Sequence, residues 1–196
     1  MPLLGPLDAL PARPRRVLVA GTSGSGKTTL AQQVAKTLDL PYFEIDGLFH
    51  GSNWTRRPEF ETDVERLTAG EAWVTEWQYG SVRPLLAERA DTMIWLDYQR
   101  ALVMWRVTRR TLQRRFRRQE MWNGNLEPPL HTFFTDKEHI VRWAWDTHTK
   151  TRLRVSRLLQ DGTHLNVVRL RTPGETDAWR NGPLTAEARQ NHAAPR

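Results

Sequence analysis

The sequence predicts an α/β fold with a mainly parallel sheet, and three observations predict it. An uninterrupted phosphate-binding run, Gly21-Thr22-Ser23-Gly24-Ser25-Gly26-Lys27-Thr28, stands between an apolar β-branched run and a helical pattern. Strand-like runs alternate with helical patterns along the rest of the chain. Several of those runs end on a carboxylate, at the strand ends where an open parallel sheet presents its binding crevice.

Taken in order, the strand-like runs are Arg16–Ala20, Tyr42–Ile45, Trp73–Glu76, Thr92–Leu96 and Leu165–Leu170. Each is short, apolar and rich in β-branched or aromatic residues, as a buried strand requires. The helical pattern over Thr28–Leu38 repeats Leu30, Val34 and Leu38, and that over Pro58–Ala69 repeats Phe60, Val64 and Leu67. Val82–Arg89 predicts a short helix; Arg100–Gln119 and Lys137–Gln160 predict long ones.

At 196 residues the chain fits one domain, predicted over 15–180. Residues 1–14, broken by Pro2, Pro6, Pro11 and Pro14, are expected to be a flexible arm, and the polar stretch 181–196 a flexible tail. The arm does not fit a signal peptide, because Arg13, Arg15 and Arg16 follow its apolar part. The absence of cysteine excludes disulfides and thiolate metal sites, and suits a reducing cytoplasm. No run approaches the roughly 20 apolar residues of a spanning helix.

The glycine run carries the chemistry most directly. Its glycines let successive backbone N–H groups point into one concavity, and the helix that follows adds its positive end. Gly21, Thr22, Ser23, Gly24, Ser25, Gly26, Lys27, Thr28 and Thr29 are the candidate nucleotide-binding residues. Lys27 suits the β- and γ-phosphates of ATP, and the Thr28 hydroxyl suits Mg²⁺.

Other candidates follow the strand ends. Glu44 and Asp46 close the second run, and strict alternation puts both on one face. Asp46 is a candidate for orienting or deprotonating an acceptor hydroxyl. Glu76 closes the third run and suits a metal-bound water beside the glycine loop. Trp77 and Tyr79 behind it, with Trp54 and Arg83, are candidates for an acceptor pocket. Asp97 closes the fourth run and reads best as a structural anchor. The six histidines show no metal-ligand spacing.

The net charge is +7, and eight arginines fall between Arg100 and Arg118 with no lysine among them. Leu102, Trp105, Leu112 and Phe116 are expected to form the apolar face of this helix, beside a cationic stripe of Arg106, Arg110, Arg114 and Arg117. Such like charges weaken an isolated helix, and a bound polyanion relieves them. Arginine also grips phosphate oxygens bidentately. Arg110 and Arg114 are therefore candidates for stabilising a transferring phosphoryl group. The turn residues of Trp122-Asn123-Gly124-Asn125 and Pro128-Pro129 then suggest a lid.

This ordered set resembles the P-loop kinases that include adenylate, shikimate and gluconate kinases, and more closely the adenylate-kinase-related and DNA topology modulation proteins of bacteria. The resemblance rests on residues 21–31, Asp46-Gly47-Leu48-Phe49, Trp54 with Arg57-Pro58, Trp73 to Tyr79, Ala90 to Asp97, the Arg100 helix, the segment at 122–125 and Ile140 to Trp145. It implies a five-stranded sheet in the order 2-3-1-4-5, an acceptor-binding insertion around 46–70, an arginine lid around 109–127, and the use of ATP and Mg²⁺. The chain departs from the pattern at Glu76-Trp77-Gln78-Tyr79, where close relatives carry Asp-Gly-Asn-Tyr and adenylate kinases Asp-Gly-Phe-Pro-Arg. The leading expectation is a phosphotransferase acting on a small acceptor such as a nucleoside monophosphate. The alternative, favoured by a sequence pI near 10.5, is a nucleic-acid-binding regulatory ATPase or a polynucleotide 5′-kinase.

Overall fold

The structure, a computed structural model, describes residues 3–117, 120–121, 125–126 and 140–193. Its centre is a sheet of five parallel strands: β1 (Leu3–Leu4), β2 (Arg16–Gly21), β3 (Trp73–Glu76), β4 (Thr92–Leu96) and β7 (Asn166–Leu170), in the spatial order β1-β7-β4-β2-β3. Strands β5 (Glu120–Met121) and β6 (Asn125–Leu126) make a separate antiparallel pair. The helices are α1 (Lys27–Leu38), α2 (Ile45–Phe49), α3 (Phe60–Thr68), α4 (Arg83–Arg89), α5 (Arg100–Arg117), α6 (Ile140–Gln160), α7 (Pro173–Trp179) and α8 (Thr185–Ala193).

Alternation along β2 builds both layers. Val17 and Val19 enter one cluster with Leu30, Val34 and Leu38 of α1 and with Trp179 and Leu184. Leu18 and Ala20 enter the other, with Phe60, Leu86, Met93, Trp95 and Val155. A strand buried on both faces in this way needs the continuous apolar run the sequence shows. The register then sets the site: Val19 lies opposite Glu76, and Gly21 opposite Leu96. The phosphate loop and the ends of β3 and β4 thus emerge together at one edge.

The expected order 2-3-1-4-5 holds, with four differences in the elements. The run Tyr42–Ile45 is not a strand. Only Tyr42 bridges to Val74, and from Ile45 the chain turns into α2, with the Gly47 N–H bonded to the Glu44 carbonyl at 3.1 Å. The shared face expected for Glu44 and Asp46 is therefore lost. Residues 3–14, expected as a loose arm, add an edge strand, Leu3 pairing with Val167 and Leu4 with Val168. Leu4 and Leu10 are buried, and Arg13 caps α1 by donating to the Leu38 carbonyl at 2.6 Å. The expected tail continues as a π-helical turn (Arg180–Leu184) and then α8, because Leu184 is fully buried and Ala188 packs on the first cluster. Finally, α5 is rotated from its expected phase. Val103, Val107 and Thr111 face inward, whereas Trp105 and Leu112 are 58% and 37% exposed. Valine spacing, not the largest apolar residues, marks the packed face. Phe116 and the segment 122–124 fall outside the described side chains or residues.

Asp97 is a structural anchor. Its buried carboxylate accepts from Arg152 Nε of α6 at 2.8 Å and from Arg169 Nε of β7 at 2.8 Å, and Arg169 adds a second donor, Nη2. The Asp97 N–H also donates to the Leu170 carbonyl at 2.8 Å. One carboxylate thus ties three elements together. Replacing it strands the half-buried Arg169 guanidinium over Trp95 without its anion. Asp97→Ala is expected to lower unfolding stability by about 3 kcal/mol, read by urea denaturation, with MgATP affinity of the folded protein retained.

Candidate active site

The chain reverses sharply between β2 and α1, and the glycines make this possible. Gly24 and Gly26 have φ of +82° and +96°, in the left-handed region that favours glycine. Gly26 precedes α1 with no side-chain cap, and no acidic residue occupies the first turn. The helix therefore presents its positive end uncapped by side chains. The Thr22 and Ser25 hydroxyl oxygens are buried there without a hydrogen-bond partner. Buried polar atoms are rarely left so, and phosphate oxygens would satisfy them.

Lys27 is 8% exposed, and its ammonium donates to the Thr22 carbonyl at 3.2 Å. Burial pulls its pKa down; the charges of Asp46 and Glu76 push it up, and Arg110 and Arg83 push it down again. These opposing effects locate the site. Two carboxylates and two guanidinium groups, from four separate elements, act on one buried ammonium.

Glu76, at the end of β3, is fully buried. Its Oε1 accepts from the Tyr42 hydroxyl at 2.9 Å and its Oε2 from the Ile45 N–H at 3.3 Å. Burial and then Glu76 push the Tyr42 pKa up, so Tyr42 keeps its proton and donates. Asp46, on α2, accepts at Oδ1 from Gln78 Nε2 at 3.0 Å and from the Tyr79 hydroxyl at 2.5 Å. His50 Nε2 lies 3.2 Å from the same hydroxyl. Phe49 stacks on the Tyr79 ring at 4.0 Å and Phe60 meets it edge-on at 5.2 Å. Trp54, 38% exposed, meets His50 edge-on at 5.1 Å.

Helix α5 closes the other side. Val103 and Val107 pack so tightly on the loop that a Cβ at Gly24 would lie 2.9 Å from Val107 Cβ and 3.2 Å from the Val103 carbonyl. Arg106 donates to the Ser25 carbonyl at 3.3 Å while its guanidinium lies 5.2 Å from the Tyr98 ring centroid. Arg109 instead stacks on the exposed Trp105 at 5.3 Å. The Arg114 side chain lies outside the described residues.

Arg83 sits at the start of α4, 5.8 Å from the Trp77 ring centroid. Burial, with Arg154 adding to it, pulls its pKa down to about 10. Among the described residues it has no carboxylate partner. Trp77 itself is 8% exposed and gives its indole N–H to the Arg83 carbonyl at 3.2 Å, so it is core that seats Arg83 and not an open pocket wall.

The structure therefore brings the phosphate loop, Lys27, Asp46, Glu76, Arg83 and Arg110 together, with Tyr79 bonded to Asp46. Thr28 is half-buried at the start of α1, and Thr29 is exposed. Sequence reasoning did not single out Tyr42, His50 or Arg154, and named Arg106 only as part of a stripe. The Val103–Val107 spacing would have placed Arg106 beside the loop. Nothing local marks Tyr42 or His50, whose partners lie about 30 positions away.

A family model described as "ATPase family associated with various cellular activities (AAA)" matches residues 17–71, well under half of the chain. No curated protein matches. Among solved structures, a shikimate kinase from Acinetobacter baumannii in complex with shikimate is similar at 16% identity and TM-score 0.50, over 91% of this chain and 90% of that one. A gluconokinase from Sinorhizobium meliloti 1021 is similar at 17% identity and TM-score 0.48, over 92% and 94%. At such identities the shikimate kinase likeness speaks to fold alone, the α/β arrangement of a parallel five-stranded sheet with helices seen in P-loop kinases. No helix among the described residues is long and apolar enough to cross a membrane.

Gly24 gives the sharpest test of this geometry. Gly24→Ala forces a Cβ into Val107 at a positive φ, and is expected to cost about 2 kcal/mol or more of stability and to weaken nucleotide binding. Gly182→Ala, where a Cβ meets nothing within 4 Å, should change neither; calorimetric unfolding with and without MgATP measures both.

Proposed function

We propose that the chain is a phosphotransferase that moves the γ-phosphoryl group of ATP to a small anionic acceptor. The observation that carries this reading is the glycine turn at the carboxyl end of β2, with Lys27 buried in it and bonded to the Thr22 carbonyl, beside two buried hydroxyls that have no partner among the described residues; the charges of Asp46, Glu76, Arg83 and Arg110 bear on the same ammonium. The loop N–H groups, Thr22, Ser25 and Lys27 would cradle the β- and γ-phosphates. Gly21, Ser23 and Gly24 shape the turn, and Thr28 and Thr29 open the helix behind it.

Mg²⁺ fits the donor set. Thr28 offers a hydroxyl, and each oxygen of Glu76 accepts one protein hydrogen bond, which leaves lone pairs for a metal-bound water. Among the described residues no cluster of three carboxylates or histidines surrounds it, so phosphate oxygens and water would complete the coordination. The ion would neutralise charge on the β- and γ-phosphates.

In the reaction an acceptor oxygen attacks the γ-phosphorus and the bond to the β-phosphate bridge breaks. Lys27, Arg110 and Arg106 offset the charge that moves, and Arg114 continues the same stripe. Asp46 takes or directs the proton of an acceptor hydroxyl. A phosphate acceptor, such as a nucleoside monophosphate, needs no base. Positioning and electrostatics supply most of the rate in this chemistry. Arg83, with Arg154 behind it and no carboxylate partner among the described residues, favours an acceptor that carries its own negative group. Tyr79, Trp54 and His50 line the approach to Asp46.

A nucleic-acid substrate is the second reading. The net charge of +7 favours it, as do the exposed Trp105–Arg109 and Trp145–Arg100 pairs, since exposed aromatic and arginine surfaces suit stacked bases. Submicromolar binding of single-stranded DNA, falling steeply with salt, would support it.

The test is ATP consumption by purified protein against nucleoside monophosphates, nucleosides, sugars and hydroxy acids. Lys27→Ala is expected to lower turnover at least about 100-fold with the far-ultraviolet circular dichroism unchanged. Equal consumption by wild type and variant would defeat the assignment.

A further inference from the structure

The hydrogen bonds to Asp46 are unevenly shared between its two oxygens. Among the described residues the two side-chain donors, Gln78 Nε2 at 3.0 Å and the Tyr79 hydroxyl at 2.5 Å, both go to Oδ1. That leaves Oδ2 available to a substrate hydroxyl.

The direction of the next bond can be worked out from proton counting. Tyr79 has one hydroxyl proton, and an ionised carboxylate only accepts, so the proton goes to Asp46. Burial, and then the Asp46 charge, hold that hydroxyl protonated. The tyrosine oxygen also lies 3.2 Å from His50 Nε2. With its own proton committed, Tyr79 can only accept there, so His50 must donate from Nε2. Burial lowers the His50 pKa against the opposing pull of Asp46, which favours the neutral ring. A neutral ring that donates from Nε2 has its other nitrogen unprotonated, so one tautomer is selected.

The Tyr79 ring has little room to leave this arrangement. Its backbone φ is +56°, in the left-handed region where a non-glycine residue costs about 1 kcal/mol or more. Phe49 covers one face at 14° from parallel, and Phe60 abuts its edge. Strain held in place by such packing is found where a side chain must be aimed.

We propose that Tyr79 and His50 are positioning residues for phosphoryl transfer, forming a directed chain from His50 Nε2–H to Tyr79 and from the Tyr79 hydroxyl to Asp46 Oδ1 that reserves Asp46 Oδ2 for the acceptor. This rests on the kinase reading, which gives Asp46 a hydroxyl to meet. Neither residue touches ATP in this scheme. Their removal acts on acceptor turnover and not on the phosphate loop.

The test joins a nitrogen spectrum to kinetics. In protein labelled with ¹⁵N-histidine, His50 is expected as the neutral Nε2–H tautomer near neutral pH, and Tyr79→Phe is expected to abolish that preference while the amide spectrum stays that of a folded chain. ATP consumption is then measured with a pool of sugars, hydroxy acids, nucleosides and nucleoside monophosphates. Tyr79→Phe should lower kcat about 10-fold or more with the KM for MgATP unchanged, and His50→Leu about 5-fold. His50→Gln, which keeps an N–H near the Nε2 position, should recover most of the loss. Adding His50→Leu to Tyr79→Phe should cost much less than His50→Leu alone, because the link from His50 to Asp46 runs through the Tyr79 hydroxyl. An Nδ1–H tautomer in the wild type, or losses that multiply in the double variant, would overturn the chain. Wild type consuming no ATP with any member of the pool would overturn the kinase reading and this role in transfer with it, whereas the nitrogen spectrum reports the hydrogen bonds by itself.

Discussion

A lysine ammonium buried at the end of a glycine loop is the constraint on which the rest of this structure depends. Lys27 is buried, and burial disfavours its charge. Nearby carboxylates favour that charge, and the fold supplies two, one from the sheet and one from α2. The parallel register sets Glu76 opposite Val19, at the point where β2 turns into the loop. The turn that starts α2 then carries Asp46 over the same end. Parallel strands deliver carboxylates here because their carboxyl ends all lie at one edge. The fold is thus the reason the charge can be kept, and the kept charge is what makes the loop more than a turn.

The second dependency runs through α5. Val103 and Val107 seat this helix on Gly24, and Arg106 binds the Ser25 carbonyl. Loop and arginine helix are therefore one packed unit, not a cradle with a distant lid. Any displacement of the loop by a bound phosphate is transmitted to α5 by direct contact between close-packed groups. Arg106 and Arg110 sit one turn apart on that contacting side, so the helix that senses the loop also carries the cations that would meet the ligand.

The fold was largely legible because its signals were local. The continuous apolar run of β2 and the spacings of three and four in α1 and α3 are written in nearby residues, and both layers follow from them. The failures share one cause: the deciding partner was far away in sequence. Tyr42–Ile45 reads as a strand by composition, but Ile45 gives its N–H to Glu76, and the Asp46-Gly47 pair permits a turn into α2. The amino-terminal residues read as a loose arm because nothing near them announces that β7 has an open edge. In α5 the bulky Trp105 and Leu112 outweighed Val103 and Val107 in the pattern, although β-branched residues of smaller volume fit a loop whose backbone must come close. The phosphate loop itself was legible in full, because its chemistry resides in consecutive backbone groups. Glu76 was legible as a strand-end carboxylate; Asp46 was legible as a carboxylate near the site but lies on the turn into α2, and of the two tyrosines that bind them Tyr79 was named and Tyr42 was not.

The charge inventory around the loop gives a reason for this division of labour. Lys27, Arg83, Arg110 and Arg154 form a linked set of cations, each acting on another, and Asp46 and Glu76 are the carboxylates that act on Lys27. Positive charge therefore exceeds negative in a half-buried space, where like charges are least screened. Such a site is poorly balanced on its own and better balanced around a polyanion. Both carboxylates are meanwhile committed by hydrogen bonds, Glu76 to Tyr42 and Ile45, Asp46 to Gln78 and Tyr79, so neither can swing out to quench the arginines. With the anions tied down and Arg83 without a carboxylate among the described residues, the excess of positive charge is left unbalanced. A surface helix that merely needed solubility would have no use for that arrangement, since intrahelical or cross-strand ion pairs would have served it equally well.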